Sequence, residues 1–141
     1  MASNNLLTAA ELMTMYQKEE NKELRQTMLN AFANMQAVDQ LIQIIKTEKE
    51  PSLRQSAIRS LGRMKSERTG QTLTEIYGSE QDKAVRKAVI TAFANQNNAE
   101  GLVAIAKKET DKDLKLEIVR KIADLAPKNK VAMDYLMEQI K

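Results

Sequence analysis

A chain of 141 residues with 22 basic and 19 acidic side chains carries a net charge of +3, a field too mild to demand a nucleic acid or a membrane surface as partner. It contains no cysteine and no histidine, which excludes disulfides, thiolate metal sites and every nucleophile system built on imidazole. Three Tyr, two Phe, no Trp, four Gly and two Pro beside 29% charged residues favour helices around an aliphatic, methionine-rich core over a many-turned β protein.

Taken in chain order, the first five residues lack the basic region and apolar core of a signal peptide, and no later stretch reaches the roughly 18 uninterrupted apolar residues of a membrane span. The first helical signal is Leu12/Met15/Tyr16, apolar at offsets 0, 3 and 4, within a segment running from Leu6 to Glu23. Leu24/Met28/Leu29/Phe32 follows with a second pattern, apolar at offsets 0, 4, 5 and 8, which also marks one helix face. The two patterns then alternate: Leu41/Ile44/Ile45, Leu53/Ala57/Ile58/Leu61, Leu73/Ile76/Tyr77, Val85/Val89/Ile90/Phe93, Leu102/Ile105/Ala106 and Leu114/Ile118/Val119/Ile122. The interval from one pattern to the next is 12 residues in all four cases, from Leu12 to Leu24 through Leu102 to Leu114. Such periodicity predicts a tandem array of helical hairpins. The predicted single domain spans 1–141, with a half unit or cap at 6–23 and full units at 24–52, 53–84, 85–113 and 114–141.

Local residues predict where the helices start and stop. Asn21, Asp82 and Asp111 are placed to cap helix N-termini, and Pro51 suits a first helical position, where no backbone donor is lost. Pro127 ends the last first-type helix. Gly62, Asn34 and the run Asn95 to Asn98 are expected to supply turn geometry. Each hairpin face is too narrow to form a core alone, so the units are expected to stack and bury both motifs, joined by Ala37, Val38, Ala99 and Met133. In the final helix the spacing is carried by Leu136 and Ile140, with Gln139 at a position that elsewhere is apolar.

The segment from Glu50 to Gly62, with its acid, Pro51, Arg54, Ala57 and closing Leu61-Gly62, resembles the first-helix signature of HEAT repeats, in particular the short PBS-lyase HEAT-like variety. The other units keep Arg25, Arg86 or Lys115 and the apolar positions but carry Lys22, Lys83 and Lys112 for the proline and Ala33, Ala94 and Ala123 for the glycine. The resemblance covers roughly residues 6–141. It implies an all-α, right-handed superhelix, a solenoid of stacked antiparallel hairpins with one orphan N-terminal helix and four repeats. First helices would lie on the convex side and second helices on the concave side, commonly as a scaffold for proteins.

Arg25, Arg54, Arg86 and Lys115 share one position, so stacking would line them up as a ladder between units. Asp39, Glu100 and Asp134 are its expected acidic partners, with Gln71 in their place in unit two; such pairs set inter-unit angle more than they add stability. Arg54, Arg59, Arg63, Lys65 and Arg68 form a denser basic cluster, accompanied between residues 53 and 68 only by Glu67. Without interleaved aromatics or a Gly-rich cradle it reads as a solvated face before it reads as a phosphate-binding surface. Neighbouring acids such as Asp111 and Asp113 lack the rest of a calcium loop. No catalytic residue, cofactor or metal is expected. The expected function is a non-catalytic protein-interaction scaffold whose second helices offer Gln40, Gln43, Lys46, Glu75, Val103, Lys107 and Lys108 to a protein or peptide. DNA or RNA binding through the basic cluster and an internal spacer of a larger protein are the alternatives. A cytoplasmic setting is the expectation for localisation, with a mature exported domain as the alternative.

Overall fold

The computed structural model describes residues 6–64 and 67–141, together with all side chains of these residues except those of residues 67 and 68. Among the described residues nine α-helices follow one another: α1 Ala9–Lys18, α2 Lys22–Asn34, α3 Val38–Thr47, α4 Pro51–Gly62, α5 Glu67–Ser79, α6 Lys83–Asn95, α7 Ala99–Lys108, α8 Lys112–Leu125 and α9 Lys130–Gln139. A 3₁₀ turn, Ala126–Lys128, containing Pro127, joins the last two. No strand occurs among the described residues.

The starts of the helices have the causes read from the sequence. Asn21, Asp82 and Asp111 accept the backbone N–H three residues on at 3.0, 3.1 and 3.0 Å, and Pro51 opens α4. Thr8 adds a reciprocal capping box with Glu11. The helix ends differ from expectation. Asn34 and Asn95 still belong to their helices, and the left-handed residues are Gln36 (φ 53°) and Asn97 (φ 54°). Around each, the next N–H reaches back five residues, from Ala37 to Phe32 and from Asn98 to Phe93, closing the carbonyl ends as a Schellman motif.

Packing makes two layers. Helices α2, α4, α6 and α8 contact one another in succession, as do α1, α3, α5, α7 and α9, so the chain is an all-α solenoid of stacked antiparallel hairpins. Both helical motifs supply the core: Phe32, Leu41, Ile58, Leu61, Leu73, Ile90, Phe93 and Leu102 are fully buried. Gly62 lies inside α4, where an added Cβ would stand 2.7 Å from the Ala92 Cα; its missing side chain lets α4 and α6 approach backbone to backbone. That close approach, not turn flexibility, is the reason for glycine there.

The core departs from expectation most in the terminal helices, while Val38 and Val119 are partly buried against it. Leu24 is 49% exposed whereas its equivalents Leu53, Val85 and Leu114 are at most 2% exposed, because each of those is covered by the first-layer helix before it and α2 has none. In α1 it is Met13 that turns inward and Met15 that faces outward. In α9 the buried positions are Ala132 and Tyr135, with Leu136 half-buried, whereas Met133 and Ile140 are exposed. The last helix therefore sits one turn away from the register that Leu136 and Ile140 suggest. With α7 and α8 on one side and no helix on the other, one apolar stripe suffices.

Candidate functional site

Every joint between hairpins is built on one short pattern. A glutamate stands two residues before the helix cap and six before the ladder cation: Glu19/Asn21/Arg25, Glu48/Glu50/Arg54, Glu80/Asp82/Arg86 and Glu109/Asp111/Lys115. Each glutamate accepts the N–H of its capping residue, at 2.9, 3.0, 2.9 and 2.9 Å in turn. The chain is thereby turned into the next helix by its own side chain.

The same carboxylates receive the arginines. Arg25 pairs with Glu48 at 3.1 Å, Arg54 with Glu80 through two 3.0 Å bonds, and Arg86 with Glu109 at 3.3 Å. Backbone carbonyls take the remaining donors: Arg25 and Arg86 reach Glu19 and Glu80 at 2.6 and 2.7 Å, and Arg54 reaches Glu48 and Lys49 at 3.0 Å each. In two joints a tyrosine joins. The Tyr16 hydroxyl donates to Glu48 and the Tyr77 hydroxyl to Glu109, while Arg25 and Arg86 lie 5.2 and 5.1 Å over the respective ring centroids. These tyrosines tie neighbouring second-layer helices together.

Electrostatics follow from this geometry. Burial works to raise the Glu48 and Glu109 carboxyls, but the tyrosine hydroxyl, backbone N–H groups and facing arginine outweigh it and hold both below the ordinary value of 4.5. Burial, then the hydrogen bond to the carboxylate, pushes both tyrosines well above 10.0. A carboxylate whose pKa is lowered by folding contributes stability above its ordinary pKa and loses it as pH falls through the folded value; a raised tyrosine contributes below 10 and loses it above. The urea midpoint is therefore expected to stay level from about pH 6 to 9 and to fall below about pH 4.5 and above about pH 10. In Glu48→Gln/Glu109→Gln the acid limb should flatten; an unchanged acid slope would count against these two groups.

The expected ladder partners are corrected by these contacts. Arg25, Arg54 and Arg86 go to Glu48, Glu80 and Glu109 rather than to Asp39 or Glu100, and Asp134 pairs with Lys130 at 2.9 Å. The reason is reach: the glutamates leave the ends of second-layer helices where the arginines already lie, whereas Asp39 and Glu100 are in the first turns of α3 and α7. A further residue overlooked in sequence is Gln96, whose amide donates to the Leu61 and Met64 carbonyls and the Thr69 hydroxyl at 3.0 to 3.1 Å, closing the end of α4.

Three members of the basic cluster are described, and they have different surroundings. Arg54 is half-buried in its ion pair, Arg59 is exposed and bonds Gln55, and Arg63 is exposed beside Ser60. Lys65 and the side chain of Arg68 lie outside the described residues. By contrast, Gln40, Gln43 and Lys46 on α3, Glu75 on α5, and Val103, Lys107 and Lys108 on α7 fall on three helices of one layer, with Gln40 and Val103 half-buried and the others exposed.

Cavities of about 350, 360, 290 and 380 Å³ recur at the seams of that layer, each including the ladder cation of its joint: Arg25, Arg54, Arg86 and Lys115. Among the described residues no cluster of His, Cys, Asp and Glu is arranged to hold a metal ion, and no helix is long and apolar enough to cross a membrane.

A family model described as HEAT repeats matches residues 9–94. No curated protein matches the chain.

Proposed function

This chain belongs to the HEAT repeat family, and from that premise we propose that it is a non-catalytic scaffold that holds a protein or peptide along its second-layer helices. HEAT repeats generally mediate protein–protein interaction and are generally non-catalytic. The finer reading places the contact at Gln40, Gln43, Lys46, Glu75, Val103, Lys107 and Lys108, on a single domain divided at residues 24, 53, 85 and 114.

What supports it is the combination of exposed polar side chains at Gln43, Lys46, Glu75, Lys107 and Lys108, on three adjacent helices, with recurring cavities between those helices. An extended partner meets the same opening at every unit, which is how a repeat surface gains affinity without a deep pocket. The first-layer surface offers less: with Arg54 committed to Glu80, the basic cluster is left with Arg59 and Arg63 among the described side chains, and neither stands beside an aromatic for base stacking.

Photo-crosslinking residues placed at Gln43, Glu75 or Lys107 are expected to trap a partner from native lysate, and one placed at Arg59 is not. Charge reversal by Lys46→Glu/Lys107→Glu/Lys108→Glu should abolish that trapping without lowering the melting temperature. Crosslinks that come from Arg59 and not from the other three positions, or retention on duplex DNA at physiological salt that is lost in Arg59→Ala/Arg63→Ala, would overturn the reading.

A further inference from the structure

The turn Glu19-Glu20-Asn21-Lys22-Glu23-Leu24 has the pattern of the later turn Glu109-Thr110-Asp111-Lys112-Asp113-Leu114. At the later turn the preceding first-layer helix grips both acids. α6 sends Arg86 to Glu109 at 3.3 Å and Lys83 to Asp113 at 3.1 Å, and it packs on α8 with Leu114 buried. α2 holds the turn before α4 in the same way, Arg25 reaching Glu48 at 3.1 Å and Lys22 reaching Glu50 at 3.5 Å. Ahead of α2 no first-layer helix occurs among the described residues. Glu19 accepts the Asn21 N–H at 2.9 Å, and neither Glu19 nor Glu23 has an ion pair among those residues. Lys22 and Arg25 are committed to the next turn, which leaves Glu19, Glu20 and Glu23 facing solvent against Lys18, an acidic balance. The apolar side is open as well. Met15 and Leu24 are each 49% exposed, whereas their equivalents Ile44, Ile76 and Ile105 and Leu53, Val85 and Leu114 are at most 6% exposed.

We infer that this open end is a docking site for an amphipathic helix of another protein, one that carries lysine, any residue, an apolar residue and arginine in its first turn. Such a helix continues the first layer by one element, and its chemistry is that of Lys83, Val85 and Arg86 on α6. Its arginine meets Glu19, its lysine meets Glu23, and its apolar stripe covers Leu24 and Met15. A folded second copy has no such helix to lend, because the motifs of its α4, α6 and α8 are closed in its own core, with Leu53, Ile58, Val85, Ile90, Leu114 and Ile118 all buried. The site lies apart from the second-layer surface and does not rest on the scaffold reading.

The probe is a labelled peptide with the sequence of residues 82–97, added to the full chain. Fluorescence anisotropy is expected to show saturable binding, with amide NMR shifts at Met15 and Leu24. Leu24→Ser should weaken binding about tenfold, since the covered leucine is lost, and should leave the melting temperature unchanged because that side chain is already half in water. Glu23→Lys should weaken it about two- to fivefold, the worth of one exposed ion pair, and a peptide with Lys83→Glu should recover that loss. The charge exchange separates docking from folding. Lys46→Glu/Lys107→Glu/Lys108→Glu is expected to bind the peptide as the wild type does, so failure of the scaffold reading and failure of this one are distinguishable. Absence of saturable binding, no recovery in the charge exchange, or shifts at Glu109 and Leu114 in place of Met15 and Leu24 would overturn the site. Dimerisation of the chain that is lost in Leu24→Ser, without peptide binding, would assign the end to a second copy and overturn it equally.

Discussion

Phe93→Ala is expected to lower the unfolding free energy by about 3 to 5 kcal/mol, the cost of emptying a fully buried aromatic site. Phe93 has no exposed surface and its ring fills the space above Gly101, where an added Cβ would stand 2.6 Å from Cε1. Ring and glycine are thus two halves of one contact. Gly101→Ala alone should also destabilise, because the ring edge has to give way. In the double variant the new methyl occupies part of the vacated volume, so the loss should be smaller than the two single losses added together. Denaturant melts of the four proteins measure this coupling. Amide exchange should show protection falling most in α5 to α8 and least in α1 to α3, since hairpins touch only their neighbours. Strictly additive losses, or uniform loss of protection, would contradict the packing described.

Arg86→Met is expected to cost about 3 kcal/mol, because it leaves the Glu109 carboxylate, only 3% exposed, without its cation. The control is close by. Lys83 forms ion pairs with Asp111 and Asp113 at 3.3 and 3.1 Å, but all three side chains are well exposed, so Lys83→Met should cost less than about 1 kcal/mol. Urea denaturation of the two variants tests burial as the deciding factor. The Arg86 variant should also unfold at a higher pH than the wild type on acidification, since losing the facing charge lets the Glu109 carboxyl titrate closer to its ordinary value. Equal costs for the two lysine and arginine changes would show that the joint is held by something other than this pair.

Much of the architecture can be read from spacing, and its limits are physical. The two apolar patterns identify the buried positions of the inner hairpins because each helix there is covered from both sides. At the ends one cover is lost, and Leu24, Met15, Met133 and Ile140 keep the pattern while facing outward. The ladder cations are legible from their shared position; their partners escape because helical spacing directs attention to Asp39 and Glu100 within helices. The signal lies instead in the turns, in the recurrence of glutamate six residues before the cation. Gly62 is legible as part of the Leu61-Gly62 ending but not as a contact, since only the neighbouring Ala92 backbone reveals why a side chain is forbidden. The open end at Glu19 and Glu23 becomes visible only after the joints at Glu48 and Glu109 establish which cations such turns receive.

The glutamates that turn the chain between hairpins bond to the cap that follows them and to the arginine of their own hairpin, so most of the polar chemistry at a turn is settled locally. Such seams are interchangeable parts. A gene that duplicates or deletes one whole hairpin rejoins the chain at a connection it already knows how to make, and the length of the protein becomes a quantity that ancestry can adjust without inventing a new fit.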